Sequence, residues 1–319
     1  MQISRRYFLQ TALGVGAASA FSFPLFDVPQ ARADEAKKDL KIEKFTLKIG
    51  ATKPFAAVHV SDTHVTFADE REIERKLKLA ESRAKYFGRS EAFHNASVEY
   101  AKEKEALLLH TGDFIDFLSD KNLEFVKEAF AGAAPCFCSS GNHEYSHYLG
   151  EAKEDEQYKM NSFERVQKYY PNDLKFCSFV YNGVNFVAFD DVYYYVDDDL
   201  IDRFKVEIDK GLPIVTLCHV PLYTPQLTKF MLEDQKEKVA WVLGAPDEVV
   251  DSYPEGRRES QRSNETTTKF LEWLKEQKLV KALLSGHLHV NHVGPFSETA
   301  MQYVVGGNFK GDVFEFSFE

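Results

Sequence analysis

The sequence is short of cysteine, of positive charge and of long apolar runs, and each shortage closes off a class of protein. Four cysteines in 319 residues do not build a disulfide framework in a chain this long. Cys136, Cys138, Cys177 and Cys218 lie in apolar, strand-like text such as Pro135-Cys136-Phe137-Cys138. They read as buried free thiols, with a bridge from Cys136 or Cys138 to Cys177 left open. No apolar run reaches the ~18–20 residues needed to cross a bilayer, which excludes a polytopic membrane protein. Lys and Arg number 39 against 50 Asp and Glu, a formal net charge of −11. That balance argues against a general nucleic-acid binder, whose phosphate partners attract basic excess. It leaves room for chemistry on phosphate, because metal ions can supply positive charge locally. With 44% hydrophobic and 28% charged residues, the chain has an ordinary globular balance.

Residues 1–33 read as a targeting segment. Ser4-Arg5-Arg6-Tyr7-Phe8-Leu9-Gln10 precedes a weakly apolar stretch over 11–23, and Ala31-Arg32-Ala33 then offers the small-x-small site a signal peptidase cuts. The order resembles a twin-arginine export signal, with Gln10 where such signals most often carry lysine. The resemblance implies the twin-arginine translocase as a partner during export, a periplasmic or extracellular destination, and no transmembrane span after cleavage. Cleavage would remove Arg5, Arg6 and Arg32 against one acid, Asp27, leaving a chain still more negative than the whole. Substrates of that pathway cross already folded, so folding would occur in the reducing cytoplasm, in keeping with free thiols.

From residue 34 to 319 there is no repeat or low-complexity tract, and the stretch is expected to be one domain with insertions at about 67–105 and 225–265. Short runs rich in β-branched and aromatic residues alternate with amphipathic stretches, the pattern of an α/β protein. The spacing predicts strands at 55–60, 106–110, 135–138, 184–189, 213–218 and 280–284, with further strands at 303–305 and 313–318. Helices are predicted over 69–87, where Ile73, Leu77, Ala80, Ala84 and Phe87 share a face, and over 123–130, 200–208 and 268–277. Residues 69–105 read as two helices, and 225–265 as a charged insertion too irregular for a single helix.

Five short sequences place a metal-competent side chain directly after a strand-like run. They are Asp62-Thr63-His64, Gly112-Asp113-Phe114-Ile115-Asp116, Gly141-Asn142-His143-Glu144, His219-Val220-Pro221 and Gly286-His287-Leu288-His289. In an α/β sheet the carboxyl ends of strands converge on one edge, where ions and ligands bind. The three glycines are expected to let the backbone turn sharply there. The ligand types are carboxylate, imidazole and amide oxygen, which suit Mn²⁺, Fe or Zn²⁺ and disfavour an iron–sulfur site. Two divalent ions ~3.5–4 Å apart need a bridging ligand, and Asp113 is the natural bridge.

The ordered set D-x-H, G-D-x-x-D, G-N-H-E, H-x-P and G-H-x-H resembles the calcineurin-like metallophosphoesterase superfamily, over residues 62–289. The resemblance implies a two-sheet αββα sandwich with a dimetal site at the strand C-terminal edge. It implies two divalent metal ions, the first held by Asp62, His64, Asp113 and His289 and the second by Asp113, Asn142, His219 and His287. His143 is then the unliganded histidine facing a small-molecule phosphate ester, Asp116 the carboxylate that orients it, and Glu144 the residue that holds the loop. The implied activity is phosphate-ester hydrolysis, as phosphomonoesterase or phosphodiesterase, by a hydroxide bridging the two ions. A purple acid phosphatase is disfavoured, since that branch carries tyrosine at the position of Asp116. The rival reading from another class is a non-catalytic metal-binding scaffold of the same fold, which expects lost ligand positions, and none is lost. A nuclease is the weaker rival, since no basic groove is evident and no stable nucleic-acid partner is expected.

Of the remaining histidines, His59 and His110 read as core or as support for the site, and His94, His147 and His292 as surface or loop residues, with His147 and His292 following site motifs closely enough to reach substrate as the alternative. Arg257, Arg258 and Arg262 read as a solvated loop, with a phosphate clamp as the alternative. Tyr193, Tyr194 and Tyr195 fit a pocket rim and plain packing equally well.

Overall fold

The computed structural model describes residues 35–133, 135–149 and 156–319. The export signal expected over 1–33 lies outside them. Among the described residues, eleven strands form two sheets. The first runs β1 (Lys41–Leu47), β11 (Asp312–Phe318), β2 (Phe55–Val60), β3 (Leu107–Thr111), β4 (Cys136–Ser139). The second runs β5 (Phe176–Tyr181), β6 (Val184–Phe189), β7 (Ile214–Leu217), β8 (Val280–Ser285), β10 (Met301–Val304), β9 (His292–Pro295).

Alternation along the strands explains why the sheets stack. Ala57, Leu109 and Phe137 of the first sheet and Phe186, Leu217 and Leu284 of the second share one buried cluster with Phe314, Phe316 and Phe318. Side chains one residue out of phase face the opposite way. Val58, Val60 and Leu108 meet Val98 and Ala101 of α2 (Ser90–Glu103). Val187, Phe189 and Leu283 meet Phe204 of α5 (Leu200–Ile208) and Phe270, Leu271 and Leu274 of α9 (Glu265–Lys275). Leu123, Val126 and Phe130 of α3 (Asp120–Gly132) and Val166 of α4 (Glu156–Gln167) close over Cys138 and Phe114. The layers are therefore α, β, β, α, and each fully buried phenylalanine contributes about 1.5–3 kcal/mol by its removal from water.

The helices start where their caps allow. Ser119 Oγ accepts from the Asn122 amide at the head of α3, and Asn264 Oδ1 accepts from Thr267 at the head of α9, so both begin three residues before their predicted starts. Residues 69–105 form two helices, as predicted, α1 (Glu74–Phe87) and α2. The second expected insertion breaks into α6 (Pro225–Lys229), a π-helical turn (Phe230–Asp234), α7 (Asp247–Val250) and α8 (Glu255–Gln261). Among the described residues no helix is long and apolar enough to cross a membrane.

All four cysteines are free. Burial pushes the Cys136 thiol up to about 12 and Cys177 up to about 11, and raises Cys138 and Cys218 further. Since the thiolate is the reactive form, alkylation of the native protein at pH 8 is expected to be slow. Denaturation without reductant is expected to release four thiols per chain, and a smaller count would reveal a bridge.

Candidate metal centre

Strands β2, β3 and β4 run parallel, as do β6, β7 and β8. Their carboxyl ends carry Asp62 and His64, Asp113, Asn142 and His143, Asp191, His219, and His287 and His289. The backbone there is unusual. Asp62 (φ 53), His64 (φ 55), Asp113 (φ 53), His287 (φ 69) and His289 (φ 55) are all left-handed, a conformation costing about 1–3 kcal/mol at a non-glycine residue and concentrated at functional sites. The glycines divide the work differently from the sequence expectation. Gly112 does adopt a positive φ of 92, but Gly141 and Gly286 are needed for space. A Cβ on Gly286 would lie 1.9 Å from Ser61 Oγ and 2.3 Å from Asp62 Oδ2. Gly286→Ala is therefore expected to displace the Asp62 carboxylate and lose bound metal while the circular dichroism stays native; unchanged metal content would contradict this.

The side chains converge in three overlapping groups, a first cluster of Asp62, His64 and His289, a second of Asp113, His219 and His287, and between them His64, Asp113 and His143. In the first, His289 Nε2 is 3.1 Å and His64 Nε2 3.7 Å from Asp62 Oδ1, the two imidazole nitrogens are 3.0 Å apart, and His64 Nε2 is 3.7 Å from Asp113 Oδ2. In the second, His219 Nε2 is 3.3 Å from Asp113 Oδ2 and 3.1 Å from His287 Nδ1. Asp113 belongs to the second and faces the first through His64. Asp62 Oδ1 and Asn142 Oδ1 are buried without a hydrogen-bond partner, which is costly unless something else satisfies them.

Tautomers point the same way. His219 Nδ1 donates to the Thr111 carbonyl at 2.7 Å, and His64 Nδ1 donates to Asp116 Oδ1 at 3.0 Å. Each leaves its Nε2 aimed into the cluster, where it would give up its hydrogen to ligate, the arrangement of a metal-binding histidine. Ligand atoms at right angles about a cation, with bonds of about 2.1 Å, lie about 3.0 Å apart, close to the His64–His289 and His219–His287 separations. The donor set therefore fits divalent cations. It also demands positive charge. Burial opposes protonation of His64 and His219, yet Asp116 and Asp62 at the first and Asp113 at the second outweigh it and push both up to about 10. Burial likewise works against ionised Asp113 and Asp62, but the surrounding histidines hold both well below the usual carboxylate range.

Buried carboxylates fix the loops that carry these ligands. Glu144 accepts from the amides of Asp113 (3.0 Å), Phe114 (2.6 Å) and Gly141 (2.6 Å), tying the β3 and β4 ends together. This is the loop-holding role the sequence resemblance implied. Asp191 accepts from the His219 (3.1 Å) and Val220 (2.9 Å) amides, and burial pushes its carboxyl up to about 7.

His143 stands at the mouth of the site, its side chain 17% exposed and its Nε2 3.9 Å from Asp113 Oδ2. The expected pairing with Asp116 takes a different form. His143 Nδ1 donates to the Asp116 backbone carbonyl at 2.7 Å, with the carboxylate 3.5 Å away. The Asp116 carboxylate is instead shared between His64 and a two-pronged contact from Arg83, at 2.6 and 2.9 Å. Phe87, one helical turn past Arg83, stacks on the His64 ring at 4.7 Å and 14°. Arg83 and Phe87 thus brace the first cluster from α1. Sequence reading missed both functions, because nothing near residue 83 in the chain signals a partner at 116.

His59 and His110 are buried supports, bonded to Thr111 and Thr63 through Nε2 at 2.9 Å. His94 corrects the surface expectation. It is fully buried on α2 against Phe114 at 4.6 Å, and burial pushes it down to about 3, so it serves as a neutral core ring. His147 is half-buried and bonded to Ser162 at 3.0 Å, and His292 opens β9 against Phe230. Arg262 is neutralised by Asp247 and Asp251, and Arg258 bonds the Tyr253 carbonyl. Arg257 lies over the Trp241 ring, 5.3 Å from its centroid. Trp241, Arg257 and the three tyrosines 193–195 line a cavity of about 1020 Å³ that opens onto His287 and His289.

Residues 55–291 match the family of calcineurin-like phosphoesterases, and the chain belongs to that family. The family uses divalent metals, which the two clusters fit. No curated protein matches this sequence. Among solved structures it is similar to a dimetal phosphatase from Danio rerio, at 12% identity over 80% of this chain and 88% of that one, with a TM-score of 0.46. It is also similar to a 5'-nucleotidase from Candida albicans, at 14% identity over 83% of this chain and 48% of that one, with a TM-score of 0.40. The chain thus spans about half the length of the nucleotidase.

Proposed function

We propose that the chain is an exported hydrolase of phosphate esters that works with two divalent cations. The observation that carries the reading is Asp113, whose carboxylate lies between the two clusters, 3.3 Å from His219 Nε2 and 3.7 Å from His64 Nε2. Cations so placed supply charge to neutralise phosphate oxygens and make a water more acidic. Asp113 would span the two positions, Asp62, His64 and His289 would complete one, and Asn142, His219 and His287 the other. His143 would act on the leaving oxygen, because its Nδ1 is committed to the Asp116 carbonyl and its Nε2 faces the site. The complete ligand set favours an enzyme over a scaffold that keeps only the fold.

The cavity argues about which esters. About 1020 Å³ is far more than a phosphoryl group fills, so esters with a bulky leaving group should be preferred. Glu156, Glu237 and Glu259 share its wall with Arg257 and Arg262, and the chain as a whole is acidic, so substrates with little total charge should outrun polyanions. The test is a panel of phosphate mono- and diesters with small and large leaving groups, given to the stripped protein reloaded with Mn²⁺, Fe²⁺ or Zn²⁺. Turnover that needs added metal is expected, and no turnover with any metal on any ester would sink the proposal. Export is tested separately, by fusing residues 1–33 to a folded reporter and replacing Arg5 and Arg6 with Lys; export that persists without the arginines would count against the twin-arginine route.

A further inference from the structure

The turn over residues 190–195, which follows β6, touches three of the four residues assigned to the second cation position. The Asp191 carboxylate accepts from the backbone amides of His219 and its neighbour Val220. The Tyr193 hydroxyl donates to the Asn142 carbonyl at 3.2 Å. The Tyr194 hydroxyl lies 2.7 Å from His287 Nε2. None of the three contacts is local in sequence, the last spanning 93 positions.

The turn itself is tightly specified. Asp190 Oδ1 accepts from the Val192 amide at 3.1 Å, and the Tyr194 amide donates to the Asp191 carbonyl at 3.0 Å. Buried Lys159 pairs with Asp190 at 2.7 Å and also bonds the Val192 carbonyl. Tyr194 sits at φ 67, a left-handed angle that persists only where surrounding contacts over-determine it. Gln261, buried, stands beside its hydroxyl.

The chemistry lies in which nitrogen of His287 carries hydrogen. His64 and His219 turn Nε2 toward the clusters and commit Nδ1 elsewhere. His287 is reversed, with Nδ1 in the cluster, 3.1 Å from His219 Nε2, and Nε2 outside it. A ligating Nδ1 must be bare, so the hydrogen belongs on Nε2, and the Tyr194 oxygen is placed to accept it.

We infer that Tyr194 is a positioning residue that fixes the tautomer and ring orientation of His287 and thereby sets the affinity of the second cation position independently of the first. This rests on the dimetal reading above. Loss of such an outer partner characteristically weakens metal binding by ~10–100-fold. The first position, where His64 is oriented by Asp116, Arg83 and Phe87, should not change.

The test is calorimetric titration of Mn²⁺ and, separately, Zn²⁺ into the chelator-stripped full chain and its Tyr194→Phe variant. Wild type should show two sites, and the variant should keep one at the wild-type affinity with the other weakened ~10–100-fold. Two unchanged sites in the variant, or two equally weakened ones, would overturn the inference while leaving the dimetal reading intact. A wild-type chain that takes up neither metal would overturn both. Should the variant fail to fold, nitrogen-15 NMR of the histidine rings in wild type decides, since hydrogen on Nε2 of His287 is required and hydrogen on Nδ1 refutes it.

Discussion

Asp113→Asn is expected to lose more metal affinity than any other single substitution in the chain. The Asp113 carboxylate lies 3.3 Å from His219 Nε2 and 3.7 Å from His64 Nε2, so it faces both clusters. Its other oxygen accepts the His143 amide at 2.8 Å, and its own amide is held by Glu144. The asparagine keeps the shape but removes a full negative charge from a buried position shared by two cations. A lost outer hydrogen bond costs ~10–100-fold in metal affinity, and losing a charged ligand common to both sites should exceed that. The expected result is a purified variant with less than one metal ion per chain and turnover reduced by ~10³-fold or more, about 4 kcal/mol of barrier. Wild-type metal content in the variant would remove Asp113 from its bridging place.

His143→Ala separates catalysis from metal binding and should have the opposite signature. His143 lies close enough to His64 and Asp113 for the three to form a possible ligand group, so geometry permits a ligand as well as a proton donor. Its Nδ1 is engaged with the Asp116 carbonyl, and its Nε2 is at the mouth of the site. The variant is expected to retain both metals while kcat falls by ~10²–10⁴-fold, the range for loss of a positioned proton-transfer group. The loss should grow as the leaving alcohol becomes less acidic, because a poor leaving group depends most on a proton donor. Metal loss in this variant, or a uniform decrease across leaving groups, would assign His143 a different task.

The sequence made the ligands legible because each follows its own strand directly, and the strand, the turn and the ligand are neighbours in the chain. Asp62, Asp113, His219 and His287 are placed by local pattern, and parallel pairing of β2 with β3 and of β7 with β8 brings them to one edge. Partners that no motif names, held by contacts distant in sequence, are not legible. Arg83 reaches Asp116 across 33 residues, and Tyr194 reaches His287 across 93. The sequence pairs Asp116 with His143, and the structure adds what it could not show: the carboxylate is shared with Arg83 and His64 and stands 3.5 Å from His143 Nδ1, whose hydrogen bond goes to the Asp116 backbone carbonyl. His94 reads as a surface residue because an imidazole is polar, whereas burial beside Phe114 keeps it neutral. Among the strands, β1 was hidden by its charge, since the run Lys41–Leu47 carries three charged residues on an edge that only the parallel register with β11 reveals. The four-residue β9 ends in Gly294 and Pro295, residues that ordinarily mark a turn.

The central claim is that two cations share Asp113 in a phosphoester-hydrolysing site. Its most direct test is metal stoichiometry followed during reconstitution, with turnover of one phosphate ester measured at each point. The stripped chain should be inactive, and activity should appear as the second equivalent of metal binds. Binding of N-state-specific metal at 100 times its Kd also adds about 2.7 kcal/mol per site to stability, so Tm should rise in step. Full turnover in the stripped chain, or activity complete at one equivalent, would contradict the account.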